Sequence, residues 1–409
     1  MNSLVGNHIR NLRHKARFSL IKNSSDFFLD CSNPFDKDQV PIMCDFYQDH
    51  DFPSLEAYES GNRSIIFERG EGWFKAKGIG IPFGVSKPMY DNGKIYTHLL
   101  YDEPNMCHKS ILWGFMQEDE YNCELYGAKK AEQLGQRIKI LGSTCFNNTY
   151  YIRMRNRNEL FEELHKTERE KLHQNFMEKG IKTKAYSIYT IVPSDIRVGE
   201  LFYVLMFPRI TELIDHSLIR EYVEWLGSSC GRLLRTFHDS GSLHGTWVGD
   251  RATSLGLRDV HSNSYTGNYL VDDIGLTMCD FDLAKPVDKE SEKPIEKWAL
   301  VHIENPLYYA GSFIPKDSLT QGIAKKNLFR EELAVLFKKA VDLGYDEQPG
   351  DLEKSLKRDM LGLLVRAKQI MWKLYNLPED LVGNIYYIDY VVSNKSIEES
   401  EFKEAISNL

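Results

Sequence analysis

Hydrophobic residues along this chain follow two regimes: alternation with a period of two prevails in the first half, and steps of three and four prevail in the second. From Arg63, the run RSIIFE, a turn over Arg69–Gly72 and the run WFKAKG predict a β-hairpin that sets Lys75 and Lys77 on one face. In Gln117–Gly135, Tyr121, Leu125, Ala128 and Leu134 recur at helical spacing behind leading acidic residues, with Gly135 as the stop. Strands are expected at Arg137–Leu141 and Thr149–Met154, followed by a charged helical insertion over residues 159–180. Ala185–Val192 and Leu201–Phe207 are apolar, aromatic and β-branched, and read as neighbouring strands joined through Pro193, Ser194 and Asp195. The pattern then turns helical, with Tyr222, Leu226, Cys230, Leu233 and Phe237 in one stripe and Leu333, Phe337 and Val341 in another. A further stripe runs from Leu356 to Met371 and ends before Pro378.

Between those helices lies one short strand–turn–strand: Tyr269–Val271, a turn through Asp272, Asp273 and Gly275, then Leu276–Met278. Strands with one lone helix, followed by helices enclosing a short hairpin, predict an α+β fold in two lobes. The expected division is an N-terminal extension over 1–62, a sheet lobe over 63–207 and a helical lobe over 208–409.

With 409 residues, 42% of them hydrophobic, the chain is large enough for full cores. A net charge of −8 argues against a generic nucleic-acid binder or an anionic-membrane binder, because the overall field repels phosphate backbones. The early basic residues Arg10, Arg13, Lys15 and Arg17 read as a solvated face. No apolar run approaches the roughly 20 residues of a membrane span, and the opening MNSLVGNHIRNLRHKARF lacks a signal-peptide core, so a cytoplasmic protein is expected. The seven cysteines stand singly with no Cys-x-x-Cys pair, which signals neither a disulfide frame nor a zinc site.

The candidate chemistry gathers around His261–Ala284. A hairpin brings its open ends together, so the Asn268 amide oxygen and the Asp280 carboxylate can share one Mg²⁺ and, through it, nucleotide phosphates. Upstream, Lys75 and Lys77 stand on one strand face, where Lys75 competes with Lys77 for any ligand role. Gly78 and Gly80 follow it and leave the backbone free to approach a ligand. Glu124 lies in mid-helix, within reach of a lysine. His244 reads as a residue that bonds a loop carbonyl.

Taken together, these residues resemble the protein-kinase-like superfamily over about residues 63–285. The segment from His261 to Asn268 is similar to the kinase catalytic loop, and Asp280-Phe281-Asp282 stands where Asp-Phe-Gly is found. On that resemblance Lys77 is the nucleotide-phosphate lysine, Glu124 its helix partner, and Leu201–Arg209, with Phe207, the strand and hinge that hold adenine. The run Lys77-Gly78-Ile79-Gly80 and the helix end AEQLG are similar to the selenoprotein O group, whose members bind ATP in the reversed sense and transfer AMP. His244-Gly245 resembles the His-Gly-Asp loop of atypical and small-molecule kinases. The position of the catalytic aspartate is Asn263, an amide that cannot act as a base at neutral pH, which leaves Asp259 and His261 as the candidates. Asp282 replaces the glycine of the metal-binding motif and supplies a third carboxylate or a helix cap. No Ala-Pro-Glu follows, so the usual peptide groove is not implied.

The resemblance implies ATP and Mg²⁺ as cofactors and transfer of a phosphoryl or AMP group to a hydroxyl of a protein or small molecule. Because of Asn263, a catalytically impaired pseudokinase acting as a nucleotide-binding or protein-interaction module is the competing expectation.

Overall fold

The computed structural model describes residues 15–22, 27–29, 35, 39–47, 54–60, 63–70, 72–81, 86–100, 110–155, 157–205, 214–248, 260–302, 305, 307, 328–346, 361–362, 364, 398, 400 and 404. Phe207, Asp259, Pro378 and most of the stripe from Leu356 to Met371 lie outside them. The fold is α+β, with seven helices among the described residues.

Twelve strands form one mixed, curled sheet: β1 (Lys15–Lys22), β2 (Phe27–Leu29), β3 (Gln39–Ile42), β4 (Asp45–Phe46), β5 (Ser54–Glu59), β6 (Ser64–Arg69), β7 (Gly72–Lys77), β8 (Met89–Asp91), β9 (Lys94–Leu100), β10 (Ile111–Leu112), β11 (Lys139–Met154) and β12 (Ile181–Val192). Their order is β3-β1-β5-β6-β7-β12-β11-β9-β8-β4, with β10 on β9 and β2 on β11. β9 runs parallel to β11, and β4 parallel to β8. The strands between Lys15 and Glu59, expected to form an extension ahead of the sheet, instead belong to it, because β5 pairs with β6 across Tyr58 and Ile66. The two strands expected between Arg137 and Met154 are one strand, bent by register shifts near Gly142 and Thr149. The charged insertion forms two helices, α2 (Arg157–Lys166) and α3 (Arg169–Lys179), after α1 (Glu118–Gln133).

Alternation along β7 divides it between two cores. Phe74 and Ala76 point into the curl of the sheet with Phe18, Ile42, Phe115 and Tyr189. Trp73 points to the opposite face, where Ile66 and Val192 meet the helices. Lys75 and Lys77 share the Trp73 face, as the sequence pattern predicts, and both are buried.

Beyond the sheet come α4 (Val198–Leu205), α5 (His216–Asp239), α6 (Glu292–His302) and α7 (Leu328–Asp346). Leu201–Leu205, expected as a strand, is the body of α4. A wholly apolar run carries no period, and here the choice is made by a cap and by burial on all sides. The Arg197 N–H donates to Glu200 Oε2 at 3.2 Å, the backward half of a capping box. Leu201, Phe202, Val204 and Leu205 are all buried in the helical core. A strand-and-hinge role for Leu201–Leu205 is therefore excluded, and the rest of the expected segment, with Phe207, lies outside the described residues.

The small strands are β13 (Ser242–Leu243), β14 (Thr246–Val248), β15 (Val260–Ser262), β16 (Tyr269–Val271), β17 (Leu276–Met278) and β18 (Lys285–Pro286). β16 and β17 form the expected hairpin, with Tyr269 opposite Met278. Asp272 Oδ1 accepts from the Ile274 and Gly275 N–H groups at 2.9 Å, which fixes the turn. Arg137 grips the same carboxylate, and Gln136 Oε1 accepts from Met278 N at 2.9 Å, so the loop after α1 steadies the hairpin from outside.

Long helices α5 and α7 pack closely through small residues. A Cβ on Gly231 would run into the Val341 carbonyl, and one on Gly344 into the Ser228 backbone. Gly231→Ala must push the two helices apart; we expect a loss of about 1–3 kcal/mol in chemical denaturation, since overpacking against backbone has no flexible atom to yield.

Candidate functional site

The site is assembled by three elements from different parts of the chain: β7 brings Lys77, α1 brings Glu124, and the hairpin exit brings Asp280. Lys77 Nζ donates to Glu124 Oε2 at 2.7 Å and also to Asp280 Oδ1. Glu124 Oε2 accepts in addition from Phe281 N at 2.8 Å, so the helix carboxylate holds both the lysine and the backbone that follows Asp280. Of the glutamates on α1, Glu124 sits on the buried face with Gly127, Ala128 and Ala131. Gly127 faces Phe281 so closely that a Cβ there would strike the ring. That contact lets α1 approach the segment.

Asp280 has a φ of +64°, a left-handed backbone that aspartate tolerates through its short polar side chain. Burial works to raise its pKa, but the charges of Lys77, Lys75 and Arg197 outweigh it and hold the carboxyl well below the usual carboxylate range. Lys77 is correspondingly held charged: burial opposes this, and Asp280 and Glu124 overcome it. Glu124 is pushed upward by burial and by Asp280 and Asp282, against the pull of Lys77.

A second layer of polar contacts carries the remaining candidates. Asn263 Nδ2 donates to Asp282 Oδ1 at 2.9 Å, and Arg63 donates to Asp282 Oδ2 at 2.9 Å. Arg63 also pairs with Glu120. Asp282 is thus a bridging acceptor rather than a helix cap. Asn268 Nδ2 donates to the Asn263 carbonyl at 3.2 Å, while its Oδ1, the expected metal ligand, accepts from Arg197 Nη1 at 3.0 Å. The Asn268 carbonyl accepts from Cys279 N at 2.9 Å, tying the two ends of the hairpin. His261 pairs through its backbone with Trp247 in the β14–β15 ladder. Its side chain, like Asp259, lies outside the described residues.

Gly78 and Gly80 do not form a cradle open to a ligand. Gly78 N donates to the Arg63 carbonyl at 2.9 Å and Gly80 N to the Gly114 carbonyl at 2.8 Å. A Cβ on Gly80, at φ +112°, would enter the Met43 backbone, and one on Gly78 would meet the Tyr186 carbonyl. The space left by the missing side chains is filled by the chain itself, so their expected role at the cofactor is replaced by a packing role.

Beneath the site, Glu296 of α6 organises the loop that leads to it. Its carboxylate is fully buried and accepts from His244 N at 3.0 Å, Gly245 N at 2.6 Å, Thr246 Oγ1 at 3.0 Å and His238 Nε2 at 2.7 Å. His244 Nε2 meets the Cys279 carbonyl at 3.0 Å, the loop-carbonyl contact the sequence suggests. Gly245 in turn accepts from Asn263 N at 2.8 Å, so Glu296 is linked to Asn263 and Cys279 through one loop. Arg63, Arg197 and Glu296 carry no motif in the sequence. Their partners are distant along the chain, and only the fold reveals them.

Among the described residues, no three histidine, cysteine, aspartate or glutamate side chains are grouped to hold a metal ion, and no helix is long and apolar enough to cross a membrane. Comparison of the chain with protein-family models, curated proteins and solved structures finds no match in any of the three.

Burial acts to raise the Glu296 pKa, yet the His238 hydrogen bond and charge, with the donors of the loop, hold it below the usual value. A depressed carboxyl contributes stability above its unfolded pKa of about 4.3 and loses it as pH falls through the lower folded value. Glu296→Gln is expected to cost about 3–5 kcal/mol at neutral pH, as for breaking a buried charged network. In denaturation series from pH 7 down to pH 3, the variant should also show a shallower acid slope than the unaltered protein below about pH 4.3.

Proposed function

We propose that this chain is a kinase-like, Mg-ATP-dependent transferase, two-lobed, that moves a phosphoryl or AMP group to a hydroxyl acceptor. The observation that carries the proposal is the position of Lys77, held jointly by Glu124 and Asp280 at the open end of the β16–β17 hairpin. A charged lysine fixed in this way is a ready phosphate contact, and the ionised Asp280 beside it suits a hard cation.

Mg²⁺ fits the donor chemistry. Asp280 offers a carboxylate, and Asn268 offers an amide oxygen whose second lone pair is left by the single Arg197 bond. Bound there, the ion would neutralise phosphate charge, as it does in phosphoryl-transfer sites generally. The chain's own residues do the positioning. Glu124 orients Lys77 and, through Phe281 N, fixes the backbone that aims Asp280. Asn263 orients Asp282 and does not act as a base. The proton acceptor on this reading is Asp259 or His261.

A specific observation favours the second reading, a nucleotide-binding pseudokinase. An amide stands in the catalytic position, and Arg197 already engages the oxygen that Asn268 would give to a metal. The two readings part in a single series. Mg-ATP at 100 times its dissociation constant should stabilise the protein by about 2.7 kcal/mol on either, and no thermal shift would remove both. Label from α- or γ-phosphate-labelled ATP on an acceptor supports the transferase and tells AMP from phosphoryl transfer. Asp280→Asn should abolish it, and retained transfer would refute the site.

A further inference from the structure

Lys75 is the unexplained charge of the cleft. It is only 6% exposed and, among the described residues, has neither a hydrogen bond nor an ion pair. Its neighbours across the sheet are Ile66 and Thr190, and along its own face of β7 they are Trp73 and Lys77. Ile66 and Trp73 are the apolar residues of this set. The ammonium sits within electrostatic range of Cys279, Arg197, Asp280 and Lys77.

The carboxylates of the cleft are engaged elsewhere. Glu124 and Asp280 hold Lys77, while Glu120 and Asp282 hold Arg63. Arg197 directs its hydrogen bonds to the neutral oxygens of Gly267 and Asn268. Lys75 and Arg197 are thus two cations that both act on Asp280, neither of them in an ion pair with a carboxylate among the described residues. A mostly buried ammonium that no carboxylate bonds is a ready partner for an anionic ligand. Burial, with Arg197 and Lys77 as like charges, lowers the Lys75 pKa, and Asp280 works against that.

We propose that Lys75, with Arg197 beside it, is a second phosphate anchor, separate from Lys77, that holds oxygens of the polyphosphate chain of a bound nucleotide. This rests on the nucleotide reading above. Two residues along a strand set Lys75 and Lys77 about 7 Å apart on one face, so successive phosphates of one chain can meet both.

The test is calorimetric titration of the full chain with sodium tripolyphosphate, ATP and adenosine, using the unaltered protein, Lys75→Met and Lys75→Arg, alongside their melting temperatures without ligand. The anchor predicts at least tenfold weaker tripolyphosphate and ATP binding in Lys75→Met, unchanged adenosine binding and partial recovery in Lys75→Arg. It also predicts that unliganded Lys75→Met melts no lower than the unaltered protein, because a mostly buried ammonium with no hydrogen bond or ion pair among the described residues has been replaced by an apolar side chain. Tripolyphosphate or ATP binding in Lys75→Met equal to that of the unaltered protein would overturn the anchor and leave the nucleotide reading standing. A markedly lower melting temperature, or failure to fold, would equally overturn it, by marking Lys75 as a structural residue. If the unaltered protein binds tripolyphosphate in a Lys75-dependent way but binds ATP no better, the nucleotide reading fails and the anion anchor stands. Binding of none of the three would end both.

Discussion

One carboxylate oxygen holds the cleft together. Glu124 Oε2 receives the Lys77 ammonium from the sheet and the Phe281 N–H from the segment after the hairpin, inside a nearly dry interface. A buried acceptor that satisfies two donors from different elements can be neither removed nor displaced without stranding both. The position of α1, the direction of β7 at its last residue and the backbone that presents Asp280 are therefore fixed by the same atom. Gly127 makes this possible, since a side chain there would hold the helix away from Phe281.

Glu296 plays a corresponding part beneath the loop. Its bonds to His238, His244, Gly245 and Thr246 join α6, the end of α5 and the β13–β14 loop, and the His244 ring passes the constraint on to the Cys279 carbonyl. The two glutamates reach the hairpin exit at different residues. One acts on Phe281 and the other on Cys279, so Asp280 is clamped at both neighbours while its own carboxylate stays available to cations.

The sequence makes part of this legible. The hairpin, Lys77, Glu124, Asp280 and the Leu333–Phe337–Val341 stripe can be read because each lies in a segment with its own periodicity or turn residues. α4 is misread as a strand because Leu201–Phe207 is apolar throughout, and what decides its form is a cap between Arg197 and Glu200 just outside that run. The strands before Arg63 are missed although Ala16, Phe18 and Leu20 alternate inward, because their partners come from later in the chain. Arg63 and Asp282 are separated by 219 residues, Arg197 and Asn268 by 71, and Glu296 and His244 by 52, and no local pattern announces pairings at such range. Gly78 and Gly80 show the converse. A glycine pair that suggests a ligand cradle serves the close approach of Tyr186 to Gly78 and of Met43 to Gly80.

The left-handed backbone at Asp280 narrows what this position can become. Glycine would relax the φ of +64° but remove the charge, alanine would remove the charge and leave a strained backbone, and glutamate would keep the charge on a longer arm that has lost the local bonding that makes the conformation tolerable. Asparagine alone keeps both shape and backbone while deleting the charge. Drift at this site thus has a single conformationally silent exit, and it exchanges the carboxylate that pairs with Lys77 for a neutral amide on the same backbone.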